Sequence, residues 1–180
     1  MKSNCSLALM AATGVLLITT APLRASDNNA HTESLFRAQE TSVDLFGTVS
    51  VGQETINHIA GNRVRKDGRL GAGVGMNYFL TRNLGIGAEA YSENTRHSFV
   101  DNASGNLIFR IPIDTLHLAP YLYGGGGYQF DTAERFFGQA GAGVEFRFTK
   151  CCGIFADARY VIPDGTKKYG VGRAGIRLSF

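Results

Sequence analysis

Tyr169 to Phe180 reads YGVGRAGIRLSF, and its side chains sort by parity. Gly170, Gly172, Ala174, Ile176, Leu178 and Phe180 make one set, free of charge. Tyr169, Val171, Arg173, Gly175, Arg177 and Ser179 make the other, which holds two arginines. A β-strand sends alternate side chains to opposite faces of its sheet. The stretch therefore predicts a strand with one uncharged and one charged face, ending on an aromatic residue. An isolated amphipathic strand and one stave of a barrel differ in whether this bias repeats upstream.

It repeats in seven further runs, eight in all. Ser42 to Gly52 sets Val43, Leu45, Gly47, Val49 and Val51 against Asp44, Phe46, Thr48 and Ser50. Arg69 to Leu80 and Leu84 to Ser92 follow, the second with Glu89 on its polar face. Asn106 to Asp114 sets Leu107, Phe109, Ile111 and Ile113 against Ile108, Arg110, Pro112 and Asp114. His117 to about Phe130 comes next. Phe136 to Phe148 is the clearest run, its apolar set facing away from Gln139, Glu145 and Arg147. Ile154 to Val161 carries Asp157 and Arg159. Most runs reach the roughly 9 to 11 residues of a tilted membrane-crossing strand.

The connections alternate as well. Tight links fall at Thr81–Asn83, Thr115–Leu116 and Lys150–Cys152; longer polar ones fall at Gln53–Gly68, Glu93–Gly105, Asp131–Arg135 and Pro163–Lys168. Short turns on one rim and long loops on the other are the habit of outer-membrane barrels, and an even strand count puts both ends of the barrel domain on the short-turn side. The predicted fold is all-β: an eight-stranded antiparallel up-and-down transmembrane β-barrel.

Alternation alone does not say which face is outside, since a soluble carrier barrel is apolar within and polar without. The charges argue for the membrane orientation. One set of faces holds no Asp, Glu, Lys or Arg. The other holds Asp44, Glu89, Asp114, Glu145 and Asp157 against Arg69, Arg110, Arg147, Arg159, Arg173 and Arg177. Near-equal acids and bases can pair in a narrow lumen that side chains fill. Asp44, Glu89, Arg110, Asp114, Glu145, Arg147, Asp157, Arg159, Arg173 and Arg177 are the expected lumen charge network, with Arg69 at a rim. Eight glycines share that face and make room for large neighbours. Ala142, on the other face, is expected to tolerate Arg worse than Gln139 tolerates Lys.

The remaining sequence supplies an address. Met1 to Ala25 reads as a secretory signal peptide, with Lys2, an apolar run from Leu7 to Thr20 and a small-residue exit. Ser26 to Glu40 is expected to be a periplasmic lead-in, either a short helix or loose chain, and residues 41–180 the barrel. Without Lys2 and Arg24 the chain keeps sixteen basic residues against fifteen acidic, which is no nucleic-acid footprint. Cys151 and Cys152 then remain, either two adjacent thiols or a strained vicinal disulfide, with no disulfide framework around them.

The alternating runs, LAPYLYGGGGYQF (Leu118 to Phe130) and the terminal GIRLSF resemble the small eight-stranded outer-membrane barrels. These are the transmembrane domain of outer-membrane protein A, the opacity proteins and porin-like relatives. The resemblance spans about Thr41 to Phe180. It implies a place in the outer membrane of a Gram-negative-type envelope, contact with outer-membrane lipid, and Phe180 as the assembly signal read by the barrel-insertion machinery. It also leaves room for an extracellular ligand or a host or surface partner. No domain follows Phe180, so the anchoring role of longer relatives is not expected.

Motifs for other chemistry fare poorly. GAGVG (Gly71 to Gly75) and GAGVE (Gly141 to Glu145) imitate part of a dinucleotide fingerprint, but alternation continues through both where a helix would have to begin. Gly124 to Gly127 has no Lys-Ser/Thr after it. His97 and Ser98 point to opposite faces of any strand and lack the spacing of lipid deacylases; Glu93 and Asp101 are nearby. The histidines have no metal spacing. The expectation is a non-enzymatic structural or surface-interaction barrel with a plugged lumen and no cofactor. A soluble periplasmic barrel binding an apolar ligand and a lipid-modifying barrel enzyme are the alternatives.

Overall fold

In the computed structural model, residues 34–56, 63–66, 69–93, 100–130, 134–165 and 167–180 are described, with the backbone alone for 53–56 and 63–66. The expected signal peptide and the start of the lead-in lie outside the described residues. Eight strands close a barrel: β1 (Glu40–Val51), β4 (Arg69–Phe79), β5 (Leu84–Ser92), β6 (Asn102–Arg110), β7 (Leu118–Gln129), β8 (Arg135–Arg147), β9 (Cys152–Pro163) and β10 (Tyr169–Ser179). Each pairs antiparallel with its sequence neighbour in the barrel, and β1 closes on β10. The long connection after β1 carries its own two-stranded sheet, β2 (Gln53–Ile56) and β3 (Arg63–Lys66).

The register fixes the shape. Arg147 pairs with Gly153, Gly153 with Arg177, Arg177 with Asp44, and Asp44 with Gly75. Gly75 pairs with Glu89, Glu89 with Ser104, Ser104 with Gly127, and Gly127 with Phe137. One circuit thus returns to β8 ten residues from its start, at Phe137 instead of Arg147. Such a stagger demands tilted strands, by about 35–45°. The 11 residues of β10, at about 3.3 Å each and tilted by about 40°, rise about 28 Å, enough for the roughly 25 Å apolar band of a membrane barrel.

Parity decides the faces. Leu70 is 71% exposed and Phe136 72%, whereas Arg110 and Glu145 are fully buried. Val43, Leu45, Val74, Met76, Leu107, Leu122, Ile154 and Ile176 all point out; Asp44, Phe46, Glu145, Asp157, Arg159 and Arg177 point in. Among the described residues, the outward positions of the eight barrel strands carry no charge. Water could not favour this arrangement, since burying ions beneath an exposed apolar wall reverses the usual order. The soluble carrier with an apolar interior is excluded. Inward glycines make room for the ions: a Cβ at Gly143 would lie 2.4 Å from the Asp157 Cβ and 2.7 Å from Tyr121 Cζ, and one at Gly73 2.5 Å from the Tyr91 Cβ.

Two boundaries differ from expectation. β6 starts at Asn102 and stops at Arg110, where the fourth run was expected to span Asn106 to Asp114. The extra residues pair on both sides, Asn102 with Tyr91 and with Gln129. At the other end Pro112 has no N–H to offer a ladder, and Asp114–Leu116 forms a 3-10 turn ended by His117 at φ 53. Of the two forms expected for the lead-in, Ser34 to Gln39 takes the irregular one, and its Phe36 is fully buried.

Candidate functional site

The lumen is where this chain concentrates its chemistry, in two ion layers stacked along the barrel axis. The layer nearer the short turns holds Glu40, Asp44 and Glu145 against Arg110, Arg147 and Arg177. Arg177 grips Asp44 with both arms of its fork, Nε to Oδ1 at 2.7 Å and Nη2 to Oδ2 at 2.7 Å, and reaches Glu145 through Nη1 at 2.6 Å. Arg147 donates from Nε to Glu145 at 2.5 Å and from its two terminal nitrogens to Glu40 at 2.7 and 2.5 Å. Arg110 Nη1 reaches Glu40 at 3.2 Å, and its other nitrogens donate to the carbonyls of Arg82 and Arg37. Asn77 donates to Asp44 and Ser42.

The second layer sits at mid-barrel, with Glu89 and Asp157 against Arg159 and Arg173. Arg173 grips Asp157 through Nε and Nη2, both at 2.8 Å, and also bonds Glu89. Arg159 bonds Glu89 and donates to Gln139 Oε1 at 2.8 Å. The hydroxyls of Tyr121 and Tyr123 complete Asp157 at 2.7 and 2.9 Å. Ser104 donates to Glu89 at 2.8 Å, and Gln139 donates to Ser104 and Asn106. Each layer balances, three acids to three arginines and two to two, as desolvated charge requires.

Aromatic rings separate and cap the layers. The Arg110 Cζ lies 3.5 Å from the Phe79 ring centroid and that of Arg159 4.4 Å from Tyr91. Phe46 and Phe155 meet edge to face at 6.2 Å between the layers, flanked by Arg173 and Arg177. A guanidinium over a ring face gains attraction that grows when water is absent. Among the described residues, the long-loop end is less completely paired. There Tyr169 donates to Glu93 and Ser92 to Asp101. Among the described residues, the buried side-chain atoms without a hydrogen-bond partner belong to Ser50, Tyr91, Asp101, Asn102 and Arg159, all from mid-barrel towards that end.

An apolar outer wall around a lumen of paired ions is the arrangement of a membrane-spanning barrel. The chain has the fold of the small outer-membrane β-barrels. The N-terminal β-barrel domain of OprF from Pseudomonas aeruginosa superposes at a TM-score of 0.60, with 16% identity over 80% of this chain and 99% of that one. OprG from the same organism gives 0.53, with 13% identity over 80% and 97%. Neisserial surface protein A gives 0.52, with 14% identity over 78% and 96%. No protein-family model and no curated protein matches the sequence.

Within this outer-membrane-type barrel, the structure distributes the expected network residues as follows. Asp44, Glu89, Arg110, Glu145, Arg147, Asp157, Arg159, Arg173 and Arg177 lie in the two layers. Asp114 does not. It sits on the short-turn rim, side chain 36% exposed, and bonds Arg82 at 2.7 Å from the neighbouring turn. A hydrogen bond from the Ser34 hydroxyl, aided by the Arg82 guanidinium, holds the Asp114 carboxyl below the usual carboxylate range. Arg69 takes the first position of β4, at the long-loop rim. Phe180 is exposed on the outer parity, and its N–H donates to the Thr41 carbonyl at 2.8 Å.

Sequence reasoning missed Glu40, the carboxylate that fills the place Asp114 was expected to hold. The signal was present, since Glu40 shares the even parity of Asp44 and Phe46 in the first run. Cys152 is a free, half-buried thiol, so no bond joins it to Cys151. Among the described residues no cluster of His, Cys, Asp and Glu is placed to hold a metal. His97 and Ser98 lie outside the described residues.

Proposed function

We propose that the protein is an integral barrel of a Gram-negative-type outer membrane, with a structural or surface-interaction role and a plugged lumen that conducts no solute stream. One observation carries this reading: the balanced ion layers fill the interior of a barrel whose strand number leaves little room beyond side chains. Opening a channel through them would separate buried ion pairs, each costing about 3–5 kcal/mol to break. The partners that suit this reading are outer-membrane lipid against the apolar wall and the insertion machinery at the Phe180 end. A ligand or surface partner would meet the long-loop rim, where β2 and β3 project as a hairpin of their own. The chain is not read as an enzyme, because the carboxylates and guanidinium groups of its lumen are already paired with one another. Planar-bilayer recordings test the proposal: the unmodified protein should give at most small, intermittent currents. Large, steady conductance in the nanosiemens range would overturn the plugged lumen and move the function to solute passage.

A further inference from the structure

We propose that Ser34 to Glu40 is a strap that closes the short-turn mouth of the barrel, and that the Glu40 carboxylate holds it shut. The plugged lumen concerns the strand side chains; this inference assigns the closing of one mouth to a separable segment. It rests on the transmembrane reading only for the side of the membrane that mouth faces.

The strap is held by the barrel, and ahead of Glu40 it lends nothing to the ladder. Ser34 to Gln39 belongs to no strand, and Gln39 at φ 54 turns the chain into β1. Phe36 is buried against two guanidinium groups, 5.3 Å from Arg110 Cζ and 4.6 Å from Arg147 Cζ. Those arginines also donate to strap carbonyls, Arg147 to Leu35 at 2.7 Å and Arg110 to Arg37 at 3.0 Å. Glu40 joins both ends of the arrangement. Its carboxylate accepts from Arg147 and Arg110, on β8 and β6, and from the strap's own Arg37 N–H at 3.3 Å. At the rim, Ser34 bonds Asp114 and accepts from Arg82 at 2.9 Å.

Charge balance makes Glu40 decisive. With it, the short-turn layer has three carboxylates for three arginines. Without it, the carboxylate left to Arg110 is Glu145 at 3.9 Å, and the two arginines that hold Phe36 lose the carboxylate to which both donate. The strap should then open locally while the strand pairing, which starts at Glu40 with Phe79 and at Ser42 with Ser179, persists.

Limited trypsin digestion of the full-length chain, folded in detergent micelles, tests this. The bond after Arg37 is a tryptic site inside the strap whose carbonyl Arg110 holds. Glu40→Gln should speed cleavage there by about tenfold or more, as expected for easier local opening, while heat-modifiable gel mobility stays intact. Phe36→Ala should act in the same direction with the charge unchanged, and it carries the test on the same criteria if Glu40→Gln does not fold. In a Ser42→Cys variant with Cys5, Cys151 and Cys152 replaced by Ser, a water-soluble maleimide should label position 42 only after the strap is cut. Equal cleavage rates in folded wild type and variants would overturn the strap, as would position 42 labelling equally before and after cleavage. Failure of the membrane reading would appear separately, as absent insertion into lipid vesicles with the cleavage difference unchanged.

Discussion

Replacing Glu145 by Gln removes one charge and almost no volume from the centre of the short-turn ion layer. Glu145 Oε1 accepts from Arg147 at 2.5 Å; Oε2 accepts from Arg177 at 2.6 Å and lies 3.9 Å from Arg110. All four side chains are buried. Removing one member of a buried ion pair costs about 3–5 kcal/mol. Two contacts draw the expected loss towards the lower end: Arg147 keeps Glu40 and Arg177 keeps its two-armed grip on Asp44. Two effects resist that. The new amide aims its own N–H groups at arginine donors, and the layer is left with three arginines for two carboxylates. We expect a loss of about 3 kcal/mol, more than 100-fold in the folding equilibrium.

Urea titration in lipid vesicles, read by heat-modifiable mobility and tyrosine fluorescence, measures this loss; the chain has no tryptophan. Arg82→Ala is the matched control. It breaks the same kind of pair, Arg82 with Asp114, where the side chains are 44% and 36% exposed, so it should cost at most about 1 kcal/mol. If Glu145→Gln costs no more than Arg82→Ala, the lumen is hydrated enough to screen its ions, and the plugged-core argument fails.

Four further outcomes are expected. Ala142→Arg puts a charge on the exposed outer wall near mid-strand and should cost about 2–4 kcal/mol in bilayers; a neutral effect would mean that lipid does not cover this face. Gln139→Lys was expected from sequence to be the milder change. Gln139, however, is buried, its amide nitrogen donating to Ser104, Asn106 and Glu89 and its oxygen accepting from Arg159. A lysine there trades that acceptor for a second cation beside Arg159, with Glu89 already shared between Arg159 and Arg173, and should cost about as much. Deleting Phe180 should lower the amount of barrel in outer-membrane fractions while changing the unfolding midpoint of refolded protein little, since its side chain is exposed on the outer parity and one backbone bond, to Thr41, goes with it; normal insertion would remove its role in assembly. Asp114, its carboxyl held low by Ser34 and Arg82, contributes stability that is present above the unfolded value of about 4 and is lost as pH falls through the lower folded value. Asp114→Asn should flatten that acid limb by at most about 1 kcal/mol and leave stability between pH 5 and 8 with unchanged slope; a change of slope there would contradict it.

The fold was legible because a barrel wall is governed by parity, and parity is a local property. Each strand sorts its residues by a period of two without reference to its partners, so Phe136, Ala140 and Val144 announce the outer face before any register is known. The orientation was legible from the charge census for a similarly local reason: eight faces without a charge fit lipid and would waste solubility in water. Who meets whom was not legible. Arg177 finds Asp44 across one strand pair, but Arg173 reaches Glu89 and Arg147 reaches Glu40 across the lumen. Those pairings depend on the ten-residue stagger and on side-chain length, which no single run encodes. The hairpin of β2 and β3 was missed because QETI and RVRK are too short and polar to show a period.

The exchange of Asp114 for Glu40 shows where local reading failed and what would have repaired it. Parity was carried through Pro112, a residue that removes a ladder donor and lets the chain turn before Asp114. Parity was also stopped one strand position too soon at Thr41, which left Glu40 to the lead-in. Both errors sit at strand ends, where periodicity is weakest. A desolvated layer, though, cannot leave an arginine unmatched. Arg110, Arg147 and Arg177 cluster towards the short turns, with only Asp44 and Glu145 on inward positions at that level, so a third carboxylate had to come from a chain end or a turn on the same rim. Extending the even parity of Asp44 and Ser42 by one step reaches Glu40, and with it the segment that Glu40 ties across the mouth. Electroneutrality, applied layer by layer, thus draws the last part of the lead-in, Ser34 to Glu40, into the folded barrel, a conclusion that hydrophobic periodicity alone would never have reached.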